Sequence, residues 1–178
     1  MSLEIIPVWN QITPELEAEL AQFWIDNKAM LDPAKAGQRA AQVVCIARGD
    51  KGEIAGVSTA YPRIVPLLRQ PMYYYRNYIA PAYRNRALSI PFLRESRAVL
   101  QEFNLALPQP FCIGVIVSLE NKRISTHYPE AYWPLTGFTF MGYSKDGYEL
   151  RVSYFDGVRL FPPASLKRQP PGQVKRPG

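Results

Sequence analysis

The stretch from Tyr78 to Phe103 constrains the fold more than any other part of the chain. A β-prone aromatic run, Met72 to Ile79, ends at Pro81, and a short basic turn follows from Tyr83 to Arg86. Beyond it Leu88, Phe92, Leu93, Ser96, Val99, Leu100 and Phe103 recur at helical spacing, with Arg94, Glu95, Arg97, Gln101 and Glu102 on the other side. The first turn of such a helix has backbone N–H groups without intrahelical acceptors, and the positive end of the helix dipole lies there. A strand feeding a helix through a basic turn therefore prepares a spot suited to phosphate.

The rest of the chain supplies a body for this unit. With 178 residues and 47% apolar composition, one domain with a substantial core is expected. No apolar run approaches the roughly 20 residues needed to span a bilayer, so no membrane partner is expected. The N-terminus shows no basic segment followed by a long apolar run, which points to a cytoplasmic protein. Cys45 and Cys112 each sit in an apolar strand-like run and read as buried, reduced thiols. With one histidine, His127, and no Cys/His cluster, no metal site is expected.

The net charge of +6 is uneven: five basic residues and no acidic ones lie from Arg159 onward, leaving about +1 on the preceding body. A clustered basic face for nucleic acid is therefore not indicated. From Phe161 the chain is rich in Pro, Gly, Lys and Arg. Residues 1–160 read as a single domain and 161–178 as an irregular or disordered tail.

Leu3 to Val8 reads as an opening strand. Thr13-Pro14 and Asp32-Pro33 are helix starts, a capping side chain followed by proline at the first helical position. Val43–Arg48 and Ile54–Arg63 read as a hairpin around Gly49–Gly52, and Pro62, Pro66 and Pro71 punctuate a loop before the aromatic strand. Phe111–Leu119 reads as a strand covered on both faces, Asn121 to Trp133 as mixed, and Phe138–Tyr143 with Tyr148–Tyr154 as a closing hairpin. The order predicts an α/β (α+β) fold: a mixed, mostly antiparallel sheet of six or seven strands with helices on both faces.

Three local matches accompany that order: Ile79-Ala80-Pro81-Ala82-Tyr83-Arg84 before the long helix, Asn121 just after the covered strand, and Gly137-Phe138 before the closing hairpin. On these residues the chain, from Leu3 to about Asp156, resembles the GNAT acetyltransferase superfamily. The resemblance implies an acyl-CoA as co-substrate, acetyl-CoA foremost, and transfer of its acyl group to the amine of a small molecule or peptide. It implies that backbone groups of Tyr78, Ile79 and Ala80 hold the pantetheine arm. The pyrophosphate would rest on the turn Arg84, Asn85, Arg86, Ala87, Leu88 and Ser89. Arg84 matches the family's pattern, whereas Ala87 and Ser89 stand where glycines are usual, and glycine allows close backbone approach to phosphate. Asn121 would also contact the cofactor.

The resemblance further implies a tyrosine that protonates the leaving thiolate. Seven residues after Asn121 stands Tyr128; counting back from Gly137 reaches Trp133, with Tyr132 beside it. Tyr128 is the first choice for the acid and Tyr132 the second. The aromatic strand has no carboxylate, which leaves Glu120 or His127 as bases. The alternative to an enzyme is a catalytically degenerate module that keeps the fold to bind a ligand. A homodimer is compatible with either reading.

Overall fold

The computed structural model describes residues 3–30, 32–84 and 87–165. Strand β1 (Glu4–Pro7) leads to helices α1 (Pro14–Asp26) and α2 (Pro33–Ala40). Both helices begin as their sequences dictate. The Thr13 side chain accepts from the Leu16 amide and the Asp32 side chain from the Ala34 amide, with proline in the first turn of each; such caps stabilise a helix by about 1 kcal/mol.

Strands β2 (Val43–Arg48), β3 (Ile54–Val65) and β4 (Gln70–Ile79) follow, then a 3-10 turn at Pro81–Tyr83 and helix α3 (Ser89–Ala106). Strand β5 (Gly114–Leu119), helix α4 (Lys122–His127) and strands β6 (Tyr132–Trp133), β7 (Phe138–Tyr143) and β8 (Glu149–Tyr154) complete the chain.

The strands form one sheet in the order β1-β2-β3-β4-β5-β8-β7-β6. All neighbours are antiparallel except β4 and β5. The expected fold class holds, with eight strands rather than six or seven. The additional strand is β6, two residues long, too short to leave a periodic signal.

Side chains of Tyr73, Tyr75 and Ile79 pack with Phe92, Leu93 and Leu100 of α3 on one face. On the other, Val43, Ile46 and Val57 pack with Leu20, Phe23 and Trp24 of α1. Cys45 and Cys112 are buried and unbridged. Burial raises the Cys45 thiol to about 11 and the Cys112 thiol to about 12, so both stay protonated and unreactive.

The loop expected between Pro62 and Pro71 is instead a hairpin. β3 and β4 pair from Gly56↔Ile79 to Val65↔Gln70, with Pro62 opposite Tyr73 and Pro71 opposite Ile64. Both prolines sit where a missing N–H costs no ladder bond. The Ala60 amide points toward the β2 side, where it donates to Gln42; two residues on, Pro62 faces the same way, beyond the last β2 pair at Thr59. Pro71 likewise faces the β5 side, ahead of the first β4–β5 pair at Tyr73↔Val115.

The 161–178 tail begins inside structure that is still bonded. Gln70 accepts from the Phe161 amide and donates to its carbonyl, and Arg69 exchanges bonds with Ala164. The body's hydrogen bonding thus runs past residue 160; residues 166–178 lie outside the described residues.

Candidate active site

The site begins where β4 and β5 stop pairing. Their parallel ladder covers only Tyr73↔Val115, Tyr74↔Ile116 and Tyr75↔Val117. β4 continues to Ile79 and β5 to Leu119 without further pairs. Which groups of β4 face this parting follows from parity. The Ala80 amide donates to the Ala55 carbonyl at 2.9 Å, so in the alternating antiparallel pattern the even residues Tyr78 and Ala80 spend their backbone groups on β3. The odd residues, Asn77 and Ile79, turn theirs toward the β5 side. Of the three expected pantetheine contacts, only Ile79 therefore presents its backbone to the parting. Asn77, which the sequence reading passed over, is the second. Strand period alone could not find it, because parity is unknown until one β3–β4 bond is known.

Arg84 folds back over this end of β4. Its Nε donates to the Ile79 carbonyl at 3.0 Å, and its guanidinium lies 5.5 Å from the centroid of the Tyr78 ring. Tyr83 anchors the same turn by donating to the Glu53 carboxylate. The amides just after Pro81 are not all free: Tyr83 donates to Ala80 at 2.8 Å and Arg84 to Pro81 at 3.4 Å. Asn85 and Arg86, both expected to line the turn, lie outside the described residues.

The donors without an acceptor among the described residues come slightly later. Leu88 is the N-cap of α3 and offers no capping side chain, and the first turn holds no acidic residue. The first helical bond runs from the Phe92 amide to the Leu88 carbonyl. Among the described residues, the amides of Leu88, Ser89 and Ile90 have no acceptor. Ala87 enters this turn at φ +50°, the left-handed region that glycine adopts freely and alanine only at a cost. The turn thus keeps the glycine conformation although the residue is alanine.

Across the parting, Asn121 caps α4: its Oδ1 accepts from the Arg123 amide at 3.0 Å. This local bond gives Asn121 a structural role beside the expected cofactor contact. Glu120, at the end of β5, is exposed.

The two tyrosines are placed differently. Tyr128 joins Ile90, Glu130, Trp133, Leu135 and Thr136 around a mostly apolar pocket of about 120 Å³, so the first turn of α3 and the first-choice acid share one cavity. Tyr132 lies on β6 opposite Thr139, is 54% exposed, and takes no part in that cavity.

The pocket wall is well supported. The Tyr128 and Trp133 rings meet edge to face at 6.0 Å, and Trp133 Nε1 donates to the Tyr128 carbonyl at 3.0 Å. The buried Arg151 guanidinium stacks 3.9 Å from the Trp133 centroid, donates to the Glu130 carbonyl and pairs with Glu149. Among the described residues no group of three His, Cys, Asp or Glu side chains converges on a common point.

One parallel pair, β4 and β5, inside an otherwise antiparallel sheet flanked by helices gives this chain the GNAT acyl-CoA N-acyltransferase fold. Solved structures bear the likeness out. A GNAT-superfamily phosphinothricin acetyltransferase from Sinorhizobium meliloti, in complex with AcCoA, aligns at a TM-score of 0.61 and 13% identity, over 90% of this chain and 94% of its own. The ribosomal-protein-S5-alanine acetyltransferase of Vibrio fischeri aligns at 0.59 and 10% identity, over 88% and 95%. Arabidopsis thaliana NAA60, in complex with acetyl-CoA, aligns at 0.56 and 16% identity, over 88% and 100%. No family model matches the chain, and no curated protein matches it in sequence. At these identities the likeness establishes the architecture.

Proposed function

We propose that the protein is an acyl-CoA-dependent N-acyltransferase that moves an acetyl or related acyl group onto an amine. The observation that carries this reading is the parting after Tyr75↔Val117 beside the uncapped start of α3. The backbone of Asn77 and Ile79 would meet the pantetheine arm, and the amides of Leu88, Ser89 and Ile90 its pyrophosphate.

The amine nitrogen attacks the thioester carbonyl carbon and the C–S bond then breaks. Tyr128 donates its phenolic proton to the departing thiolate, and the amine's proton leaves to water or to Glu120, since β4 carries no carboxylate. The missing β4 carboxylate also favours a second reading, in which the cleft binds acyl-CoA without transferring its group.

Melting curves with CoA and acetyl-CoA test the cleft. Ligand at 100 times its dissociation constant contributes about 2.7 kcal/mol, a rise of roughly 5–10 °C for a domain of this size. No rise with either ligand overturns the proposal; a rise with no thiol release over a broad amine panel supports the binding module.

Tyr128→Phe is expected to lower thiol release about 100-fold while the CoA-induced rise stays the same. Full turnover in that variant would move the acid to Tyr132 or to solvent.

A further inference from the structure

Two arginines, Arg63 and Arg76, stack on one pair of tyrosines on the sheet face opposite α3, and a third, Arg39, lies within electrostatic reach of Arg76. Arg76 is the β4 residue directly after the last β4–β5 pair, so it stands at the parting. Its guanidinium lies 5.3 Å from the Tyr61 ring centroid and 5.9 Å from that of Tyr74. Arg63 lies 4.9 Å from the Tyr74 centroid. Tyr61 and Tyr74 are cross-strand partners with centroids 5.6 Å apart, forming an aromatic floor under both cations. Arg39, in the last turn of α2, lies within electrostatic reach of Arg76 and Tyr61. Burial, and then the like charge of Arg76, lower its pKa from the ordinary value.

Stacking on tyrosine and a place at a helix C-terminus account for part of this arrangement. They do not account for the missing counter-charge. Elsewhere the partly buried arginines are paired with carboxylates: Arg48 with Glu19, Arg97 with Asp156 and Arg151 with Glu149. Among the described residues Arg39, Arg63 and Arg76 have no ion pair, and Arg76 Nε is buried without a hydrogen-bond partner. Holding Arg39 and Arg76 half-buried beside the exposed Arg63, with a buried donor unmet on Arg76, costs folding free energy. A ligand oxyanion removes both costs, and guanidinium forks suit carboxylate and phosphate.

We infer that the amine acceptor carries an oxyanion, a carboxylate or a phosphate, and that Arg39, Arg63 and Arg76 bind it above the Tyr61–Tyr74 floor. The inference rests on the acyl-transfer reading. It places the acceptor's anionic end on this face and its amine toward the parting beside Arg76.

Matched amines test it: tyrosine against tyramine for the carboxylate, and phosphoethanolamine against ethanolamine for the phosphate, each with acetyl-CoA and thiol release as the readout. The anionic member of at least one pair is expected to react at least about 10-fold faster in kcat/KM, and which pair does so names the oxyanion. Arg76→Gln and the more exposed Arg63→Gln should erase that preference and leave the CoA-induced melting rise intact. Equal rates within both pairs, or a preference that survives both substitutions, overturns the inference. So does loss of the CoA rise in Arg76→Gln, which would assign the cluster to the donor.

If the unsubstituted protein shows neither a CoA rise nor turnover, the acyl-transfer reading fails separately. Calorimetric titration with inorganic phosphate and with 4-hydroxyphenylacetate then decides the anion site. Binding that weakens at least about 10-fold in Arg76→Gln upholds it, and absence of binding overturns it.

Discussion

Ala87→Glu removes the CoA-induced rise in melting temperature, whereas Ala87→Gly keeps that rise and makes the free protein more stable. Both outcomes follow from the left-handed backbone at Ala87 and its place one residue before the N-cap of α3. A β-carbon in this conformation costs about 1 kcal/mol relative to glycine, so relieving it should raise melting by about 2–4 °C. Glutamate keeps the β-carbon and adds a carboxylate where the pyrophosphate would rest. Close to the helix dipole that carboxylate is itself stabilising by about 0.3–1 kcal/mol. The Glu variant should therefore stay folded and lose CoA affinity by electrostatic exclusion, by about 100-fold or more. Unchanged CoA affinity in Ala87→Glu refutes the placement of the pyrophosphate. A lower melting temperature in Ala87→Gly refutes the strain.

Gly114→Ala should destabilise the fold by about 3 kcal/mol or more, at the upper end of overpacking costs. Gly114 opens β5 and pairs with Tyr154 of β8. A β-carbon there would lie inside contact distance of the Ser153 carbonyl oxygen, 2.8 Å from Tyr154 Cα and 3.0 Å from Met72 Cε. Two of these are backbone atoms of the adjoining strand, so no side-chain rotation relieves the clash. β5 must shift against β8 or β4, and the same strand sets where the β4–β5 parting begins. Chemical denaturation should show the loss as a lower midpoint at unchanged slope; a cost below about 1 kcal/mol would contradict the packing of β5 on β8.

Much of the architecture is legible before any coordinates. The caps at Thr13 and Asp32, the β2–β3 and β7–β8 hairpins, the covered strand β5 and the strand–turn–helix passage around Pro81 are written in local chemistry. They fall where expected because each depends on neighbours a few residues away. The proline-punctuated stretch from Pro62 to Pro71 misleads for an equally physical reason. Proline forbids a strand only where its N–H is needed, and that depends on where β2 stops and β5 starts.

The candidate site divides along the same line. The sequence by itself determined that a basic turn joins an aromatic strand to a helix, and that Tyr128 and Tyr132 follow Asn121 at countable distances, because these are properties of contiguous chain. Only the tertiary structure decided that Asn77 rather than Tyr78 or Ala80 faces the parting, that Tyr128 and not Tyr132 shares a cavity with α3, and that Arg63 and Arg76 meet over one pair of tyrosines. Each of these turns on strand register and on packing between elements far apart in the chain, which a one-residue slip would reverse.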